Sequence, residues 1–395
     1  MPNQNTNEPT NNSGTLVVLV VALLCIGLIM LYSTTNAQHG MKYLISQSVY
    51  IAMGTSGAFM LSKMDYRIWG KYGGTILLLV LIPLAYLALA SLLKTSFPFV
   101  KSIKGAYRWI KFPFFSIQVS EFAKIAFIIY LSKMFEKNQL YFRRKIFVRN
   151  EVFRRMKKFL TKTLIPLIFV FIVILAIFLG KNLSVTIVST MVVITMAFSA
   201  GIKFRFIIIG FIVLGVVFAL DDYVFKTKFI LPDYREKRLI SFKEPEALKA
   251  EGGYQLWRSQ MALGSGGLTG AGLTNGIMKN NYIPEPHTDF ILAIVGEELG
   301  LSMLLLILGI YVGIAVVGIG IANRSIDQQG AFLAIGCSTS ILLHALVNFS
   351  VMCGLFPTTG LTAPFISYGG SSMLANLIAL GLILSVEHKS KLKRS

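Results

Sequence analysis

Apolar residues along this chain fall into long blocks separated by polar breaks, and block length decides the class of fold. A helix that crosses the hydrocarbon core of a bilayer needs about 20 mostly apolar residues. Ten blocks meet or approach that length: 15–33, 42–62, 73–93, 117–135, 163–180, 183–201, 204–220, 289–321, 330–354 and 369–387. The fourth is interrupted by Glu121, Lys124 and Lys133, and the eighth is long enough to tilt or protrude. The connections 94–116, 136–162 and 221–288 are long. The pattern predicts an all-α polytopic membrane protein of about ten transmembrane helices. One transmembrane domain covers 15–388, with a large extracytoplasmic loop, 221–288, between helices 7 and 8. Met1 to Gly14 is rich in Asn and Thr and reads as a disordered tail, and 389–395 as a basic tail. The first block is too long for a signal-peptide core, so it is expected to be retained as a span.

Composition agrees. Of 395 residues, 54% are hydrophobic and 14% charged, against about 25% charged in soluble domains. That excludes a soluble globular enzyme, a disordered chain and a disulfide scaffold. The net charge is +20, and its placement orients the chain. With the N-terminus inside, Lys and Arg collect in the inside connections, so both termini are expected in the cytoplasm. The inside loop 136–162 alone holds ten Lys/Arg and two Glu, interleaved with Phe147, Phe153 and Phe159. Beside spans, that pattern reads as an amphipathic segment on anionic membrane lipid, with no nucleic-acid partner. The outer loop is near charge balance, and loops of its length tend to be functional. Gly264, Gly266, Gly267, Gly270, Gly272 and Gly276 fall within thirteen residues of it. No phosphate-cradling P-loop pattern is present, so the run suits close backbone approach, a re-entrant turn or a hinge. Cys25, Cys337 and Cys353 show no metal or redox spacing and read as small buried hydrophobes.

Four constellations can carry chemistry. Glu285, His287, Thr288 and Asp289 lie together where the eighth block begins. A carboxylate there can act as a general base on a hydroxyl. The same residues also suit helix capping, with Thr288 as N-cap and Asp289 in the first turn. Glu297 and Glu298 follow inside the block. Glu297 lies about 80° around the helix from Asp289 and Glu298 about 180°, so at most one shares a cavity with it. The junction from Gly105 to Lys124 holds Arg108 and Trp109, then Glu121 and Lys124 three apart on one helix face. These are either a plain ion pair or the lining of a polar cavity that takes phosphate. Between the last two blocks, Phe356 to Ser372 is rich in Pro, Gly and hydroxyls, including Ser367, Gly369 and Gly370. Irregular backbone at membrane depth is buried in protein or lines water. His39, His344 and His388 read as structural or interface residues.

At these residues the chain resembles the SEDS family (shape, elongation, division and sporulation) of the FtsW/RodA type, over about 15–388. The resemblance rests on Tyr282 to Phe290 with Gly296-Glu297-Glu298-Leu299-Gly300, and on Pro357 to Ser372. The Gly105–Lys124 junction, Gly253-Tyr254-Gln255 and Gly264 to Gly267 also match. Gly360-Leu361-Thr362 is more similar to the division members than to the elongation members. The chain departs from the family at Gly180-Lys181-Asn182-Leu183, where Asn182 replaces an acid. The resemblance implies a peptidoglycan glycosyltransferase that polymerises lipid II at the outer face of the bacterial cytoplasmic membrane, at the division site. Asp289 takes the position of the family's essential aspartate. By analogy it deprotonates the acceptor hydroxyl, and undecaprenyl pyrophosphate leaves with inversion. Arg108, Lys124, Arg258 and Lys279 are the candidate cations for the pyrophosphate. Glu121, Glu285, His287, Thr288, Glu297, Ser367, Gly369 and Gly370 complete the expected substrate site. Implied partners are lipid II and undecaprenyl-linked glycan, a class B penicillin-binding transpeptidase and other division proteins. A divalent cation is left open. The rival readings are a lipid II flippase and a scaffold that only recruits the transpeptidase.

Overall fold

The computed structural model describes residues 12–39, 41–93, 95, 97–100, 106–113, 115–143, 165–202, 253–280, 282–358 and 360–393. In hydrocarbon every backbone polar group must be bonded internally, so the apolar blocks become helices. They are α1 (Asn12–His39), α2 (Lys42–Lys63), α3 (Tyr66–Lys71), α4 (Gly73–Leu93), α5 (Val119–Arg143), α6 (Ile165–Leu179), α7 (Leu183–Ser199), α8 (Gly253–Gly266), α9 (Ile291–Asn323), α10 (Gln328–Met352) and α11 (Gly370–Leu392). Every expected block coincides with a helix except the seventh, 204–220, which lies outside the described residues. So do 144–164 of the basic loop and 203–252, which takes in most of the first half of the large loop. Among the described residues, six helices are long and apolar enough to cross a membrane: α1, α2, α4, α9, α10 and α11. α6 and α7 are apolar but shorter, at 15 and 17 residues. α5 runs further than its block because Lys133 and Glu136 pair at 2.6 Å and make its polar end tolerable. Among the described residues, α3, α8 and an antiparallel hairpin of β1 (Ile110–Lys111) with β2 (Ser116–Ile117) in the 94–116 connection lie outside the expected blocks.

α10 is the central helix, packed on α5, α7, α9 and α11, while α11 runs along α2 and α9 lies on α1 and α8. Two ends of the bundle are distinct. At one end Arg67 Nε donates to Asp327 at 2.7 Å, Tyr66 OH to the same carboxylate at 2.9 Å, and Lys389 pairs with Asp65 at 3.0 Å. Burial and the Asp327 carboxylate push the Tyr66 phenol pKa well up. The other end gathers the hairpin, the α6–α7 turn, α8 and the segment after α10, and the site lies there.

α9 is two half-helices. Gly300 has φ 77°, which breaks the i to i−4 ladder. The loop after α8 inserts into the break. Ala271 and Gly272 N–H donate to the Glu297 and Glu298 carbonyls at 2.9 Å each, and Leu301 and Ser302 N–H donate to Gly267 and Leu268 carbonyls at 3.0 and 3.2 Å. A Cβ on Gly266 would fall 1.9 Å from the Gly296 carbonyl oxygen. The glycine run is therefore a close backbone approach, one of the three readings its spacing allowed. Cys337 is buried, as expected, but Cys25 and Cys353 are exposed.

Candidate functional site

Asp289 sits just ahead of α9. The helix begins at Ile291 with Phe290 as N-cap, and no side chain caps it. The capping reading of Thr288 and Asp289 therefore fails. Thr288 instead turns back, its N–H and hydroxyl both donating to the Glu285 carbonyl at 3.2 and 3.0 Å. Asp289 is half-buried, and its carboxylate reaches the segment after α10. The point a Cβ would occupy on Gly360 lies 3.5 Å from Asp289 Oδ2 and 3.4 Å from Arg108 Nη1. A carboxylate and a guanidinium thus both approach Gly360, whose φ of 76° also favours glycine.

Both groups are held from behind. The Asp289 carbonyl accepts from Asn348 Nδ2 of α10 at 3.0 Å, and the same NH₂ donates to the Leu361 carbonyl at 2.5 Å. One buried amide therefore fixes the start of α9 to the Gly360 segment. Arg108 donates through Nε to the Lys181 carbonyl at 3.0 Å, and through Nη2 to the same oxygen. Beneath Arg108 a small cavity between α4, α5 and α6 has Ser120 and Asn182 on its polar side. Asn182 donates to Ser120 Oγ at 2.9 Å.

The remaining expected residues divide into those near Asp289 and those elsewhere. His287 is buried, its ring 4.6 Å from Tyr43 and 5.8 Å from Tyr368, and its carbonyl accepts the Tyr368 N–H at 2.9 Å. Burial raises the Tyr368 phenol pKa, with Tyr50 and Tyr43 adding to it. Glu285 is exposed, with φ 52°. Ser367 Oγ accepts the Ala363 N–H at 2.7 Å. Gln47 of α2 clasps this turn, donating to the Ser367 carbonyl at 3.1 Å and accepting from Gly369 N–H at 3.3 Å. Gly370 faces the Tyr50 ring, where a Cβ would meet it at 2.5 Å.

Glu121 and Lys124 do pair, at 2.9 Å, and Lys124 Nζ lies 2.7 Å from His344 Nδ1 of α10, all three being buried. Glu297 and Glu298 are not brought to Asp289. Glu297 accepts the Ile277 and Met278 N–H groups at 2.7 and 3.1 Å. Glu298 accepts from Ser33 at 2.8 Å, from Thr274 N–H at 3.0 Å and from Lys279 at 2.7 Å. Lys279 is thus occupied as a buried counterion. Arg258 lies against the rings of Tyr254, Trp257 and Tyr282 at 5.1, 4.7 and 4.9 Å. Among the described residues no group of three or more His, Cys, Asp or Glu could hold a metal.

Residues 14–392 match the family described as Cell cycle protein, the FtsW, RodA and SpoVE group. The chain belongs to this family. The probable peptidoglycan glycosyltransferase FtsW of Geobacter metallireducens is 34% identical over 383 residues, covering 95% of this chain and 94% of that protein. The protein of the same name from Coxiella burnetii is 34% identical over 386 residues, covering 95% and 96%. A chain of the solved structure described as "Structural coordination of polymerization and crosslinking by a peptidoglycan synthase complex" superposes with TM-score 0.73 at 23% identity, covering 95% of this chain and 97% of that one. The Thermus thermophilus rod shape determining protein RodA superposes at 0.64 with 22% identity, covering 95% of each. Both show the FtsW/RodA fold. Within that fold, sequence reasoning passed over Asn348, Gln47, Tyr43 and Ser33. Asn348 and Gln47 carried a signal, since a polar amide inside an apolar block needs a partner. Tyr43 and Ser33 carried none.

Proposed function

We propose that this chain is a peptidoglycan glycosyltransferase that polymerises lipid II at the outer face of the bacterial cytoplasmic membrane during division. The observation that carries the reading is that the Asp289 carboxylate and the Arg108 guanidinium both reach Gly360. A base and a cation that reach the same glycine suit a displacement that releases a proton on one side and an anion on the other. Asp289 takes the proton of the acceptor GlcNAc 4-hydroxyl as that oxygen bonds to the anomeric carbon of the donor MurNAc. The bond to the diphosphate breaks with inversion, and undecaprenyl pyrophosphate leaves with the electron pair, its charge met by Arg108. His287, Glu285, Thr288, Ser367, Gly369 and Gly370 shape the wall next to Asp289. The names of the curated relatives support the activity.

The reading places ten spans in the membrane with both termini in the cytoplasm, and the basic 136–162 loop on anionic lipid. A class B penicillin-binding transpeptidase is the partner, which the likeness to a chain of a peptidoglycan synthase complex supports. The test is polymerisation of lipid II by purified protein, with and without the cognate transpeptidase, beside Asp289→Ala. Wild type should make glycan, and the variant should bind lipid II without extending it. Wild type that moves lipid II across vesicles and never polymerises it would replace this reading with a flippase. Full support of division by Asp289→Ala would replace it with a scaffold.

A further inference from the structure

The chain that leaves α4 folds back along that helix instead of rising away from it. α4 covers 21 residues, Gly73–Leu93, a length of about 31 Å at 1.5 Å per residue, which matches the hydrocarbon thickness of about 30 Å. Its outward face is apolar to the last turn: Leu78, Leu79, Ile82, Leu89, Leu92 and Leu93 are exposed, and Lys94 follows at once. Lipid therefore covers α4 to its end. Tyr86 precedes that end by two turns, about 10 Å into the hydrocarbon by rise per residue. Its side chain leans toward the helix N-terminus, which is deeper still. Yet Tyr86 OH donates to the Pro98 carbonyl at 3.1 Å, and its ring lies 5.4 Å from the Phe97 ring. The connection has returned to the depth of Tyr86.

Backbone at that depth needs partners within the protein. Val100 N–H donates to the Phe97 carbonyl at 3.0 Å, Lys111 N–H to the Phe99 carbonyl at 2.8 Å and Phe112 N–H to the Phe115 carbonyl at 2.8 Å. Val100 is buried, and Ile110 and Ile117 pack on the bundle core. The tip of the hairpin turns the other way. Phe99, Phe112 and Phe115 are 59%, 39% and 49% exposed. Their rings gather into one patch, 5.8 Å from Phe99 to Phe112 and 4.8 Å from Phe112 to Phe115, the second pair stacked. Water penalises such a patch and acyl chains do not. Lys111, exposed beside it, has a stem long enough to carry its ammonium to the headgroups. The patch continues the lipid-facing side of α4, to which Tyr86 ties it.

We propose that this hairpin is re-entrant and that its Phe99–Phe112–Phe115 patch sits among the acyl chains of the leaflet on the site side of the bundle. The test needs no substrate, so it stands apart from the glycosyltransferase reading. In nanodiscs holding one copy of the full chain, a trifluoromethyl-phenylalanine replaces Phe112 or Phe115, which keeps the ring. Its fluorine NMR line is read against a nitroxide carried on the lipid acyl chain and against a water-soluble gadolinium chelate. At both positions the line should be lost with the nitroxide and kept with the chelate. Loss with the chelate alone places the patch in water and overturns the proposal. A line kept against both agents places protein over the rings and overturns it as well. A line recovered from the nitroxide on adding the cognate transpeptidase, or with two copies per disc, hands the patch to a protein partner and equally overturns it.

Discussion

Replacing Lys279 with methionine separates a structural clamp from a part in the chemistry. Lys279 Nζ lies 2.7 Å from Glu298 Oε1, with the two side chains 8% and 0% exposed. It also donates to Ser33 Oγ at 2.9 Å and to the Thr274 carbonyl at 2.7 Å. Removing one member of a buried pair leaves the other charge uncompensated and costs about 3–5 kcal/mol. Glu298 would keep the Ser33 hydroxyl at 2.7 Å and the Thr274 N–H at 3.0 Å. Those donors hold the expected loss near the lower figure, about 3 kcal/mol. Thermal unfolding of purified Lys279→Met, Glu298→Gln and the double variant forms a cycle. The double variant should recover most of the loss, since no unpaired charge remains buried. At temperatures where Lys279→Met is folded, its kcat for lipid II should stay near wild type, because the clamp holds the loop after α8 rather than the Asp289 face. A Lys279→Met protein with wild-type melting and abolished polymerisation would refute this reasoning and return Lys279 to the reacting diphosphate.

Asn348→Leu removes the amide that holds the Asp289 and Leu361 carbonyls, leaving two acceptors unsatisfied at about 1–3 kcal/mol each. On the proposed mechanism, steady-state kinetics should show kcat falling more than KM rises, because Asp289 is displaced while Arg108 stays in place. Gly270→Ala puts a Cβ 2.2 Å from the Glu298 carbonyl oxygen at φ 82°, for a loss of about 3 kcal/mol. Gly264→Ala, where a Cβ meets nothing within 4 Å, should be neutral or slightly stabilising in the same melts. At the opposite end, Asp327→Ala removes the cap on Gly330 N–H and the partner of Tyr66, both on one oxygen at 2.8 and 2.9 Å. It should lower stability by about 2–3 kcal/mol, whereas Asp65→Asn, at a partly exposed pair, should cost under about 1 kcal/mol.

The helices were legible because a span is specified by local information alone: enough consecutive apolar residues to cross the hydrocarbon. The start of α9 was not. Thr288 and Asp289 look like a cap, but Asn348, 59 residues away, holds Asp289 by its carbonyl and fixes it outside the helix. The glycine run was open to three readings, a close approach, a re-entrant turn or a hinge, and the structure shows the first. Its target, the break at Gly300, stood in the open as part of Gly296-Glu297-Glu298-Leu299-Gly300, yet nothing local distinguishes a left-handed glycine from one packed against a neighbour. The site suffers most from this limit, because Gly360, Arg108 and Lys181 meet only when three separate connections fold to one end of the bundle.

The acids show what a charge inside a span does and does not signify. Residues of this kind are functional candidates by default, and Glu121, Glu297 and Glu298 all qualify on sequence. In the structure each is committed within about a hydrogen-bond length: Glu121 to Lys124, Glu297 to two backbone N–H groups, Glu298 to Lys279, Ser33 and Thr274. Their oxygens tie neighbouring segments together, which is a structural use of charge inside a span. Asp289 is held through its backbone as well, by Asn348, and its Oδ2 lies 3.5 Å from the point a Cβ would occupy on Gly360. A carboxylate placed by its main chain keeps its position whatever its oxygens bind.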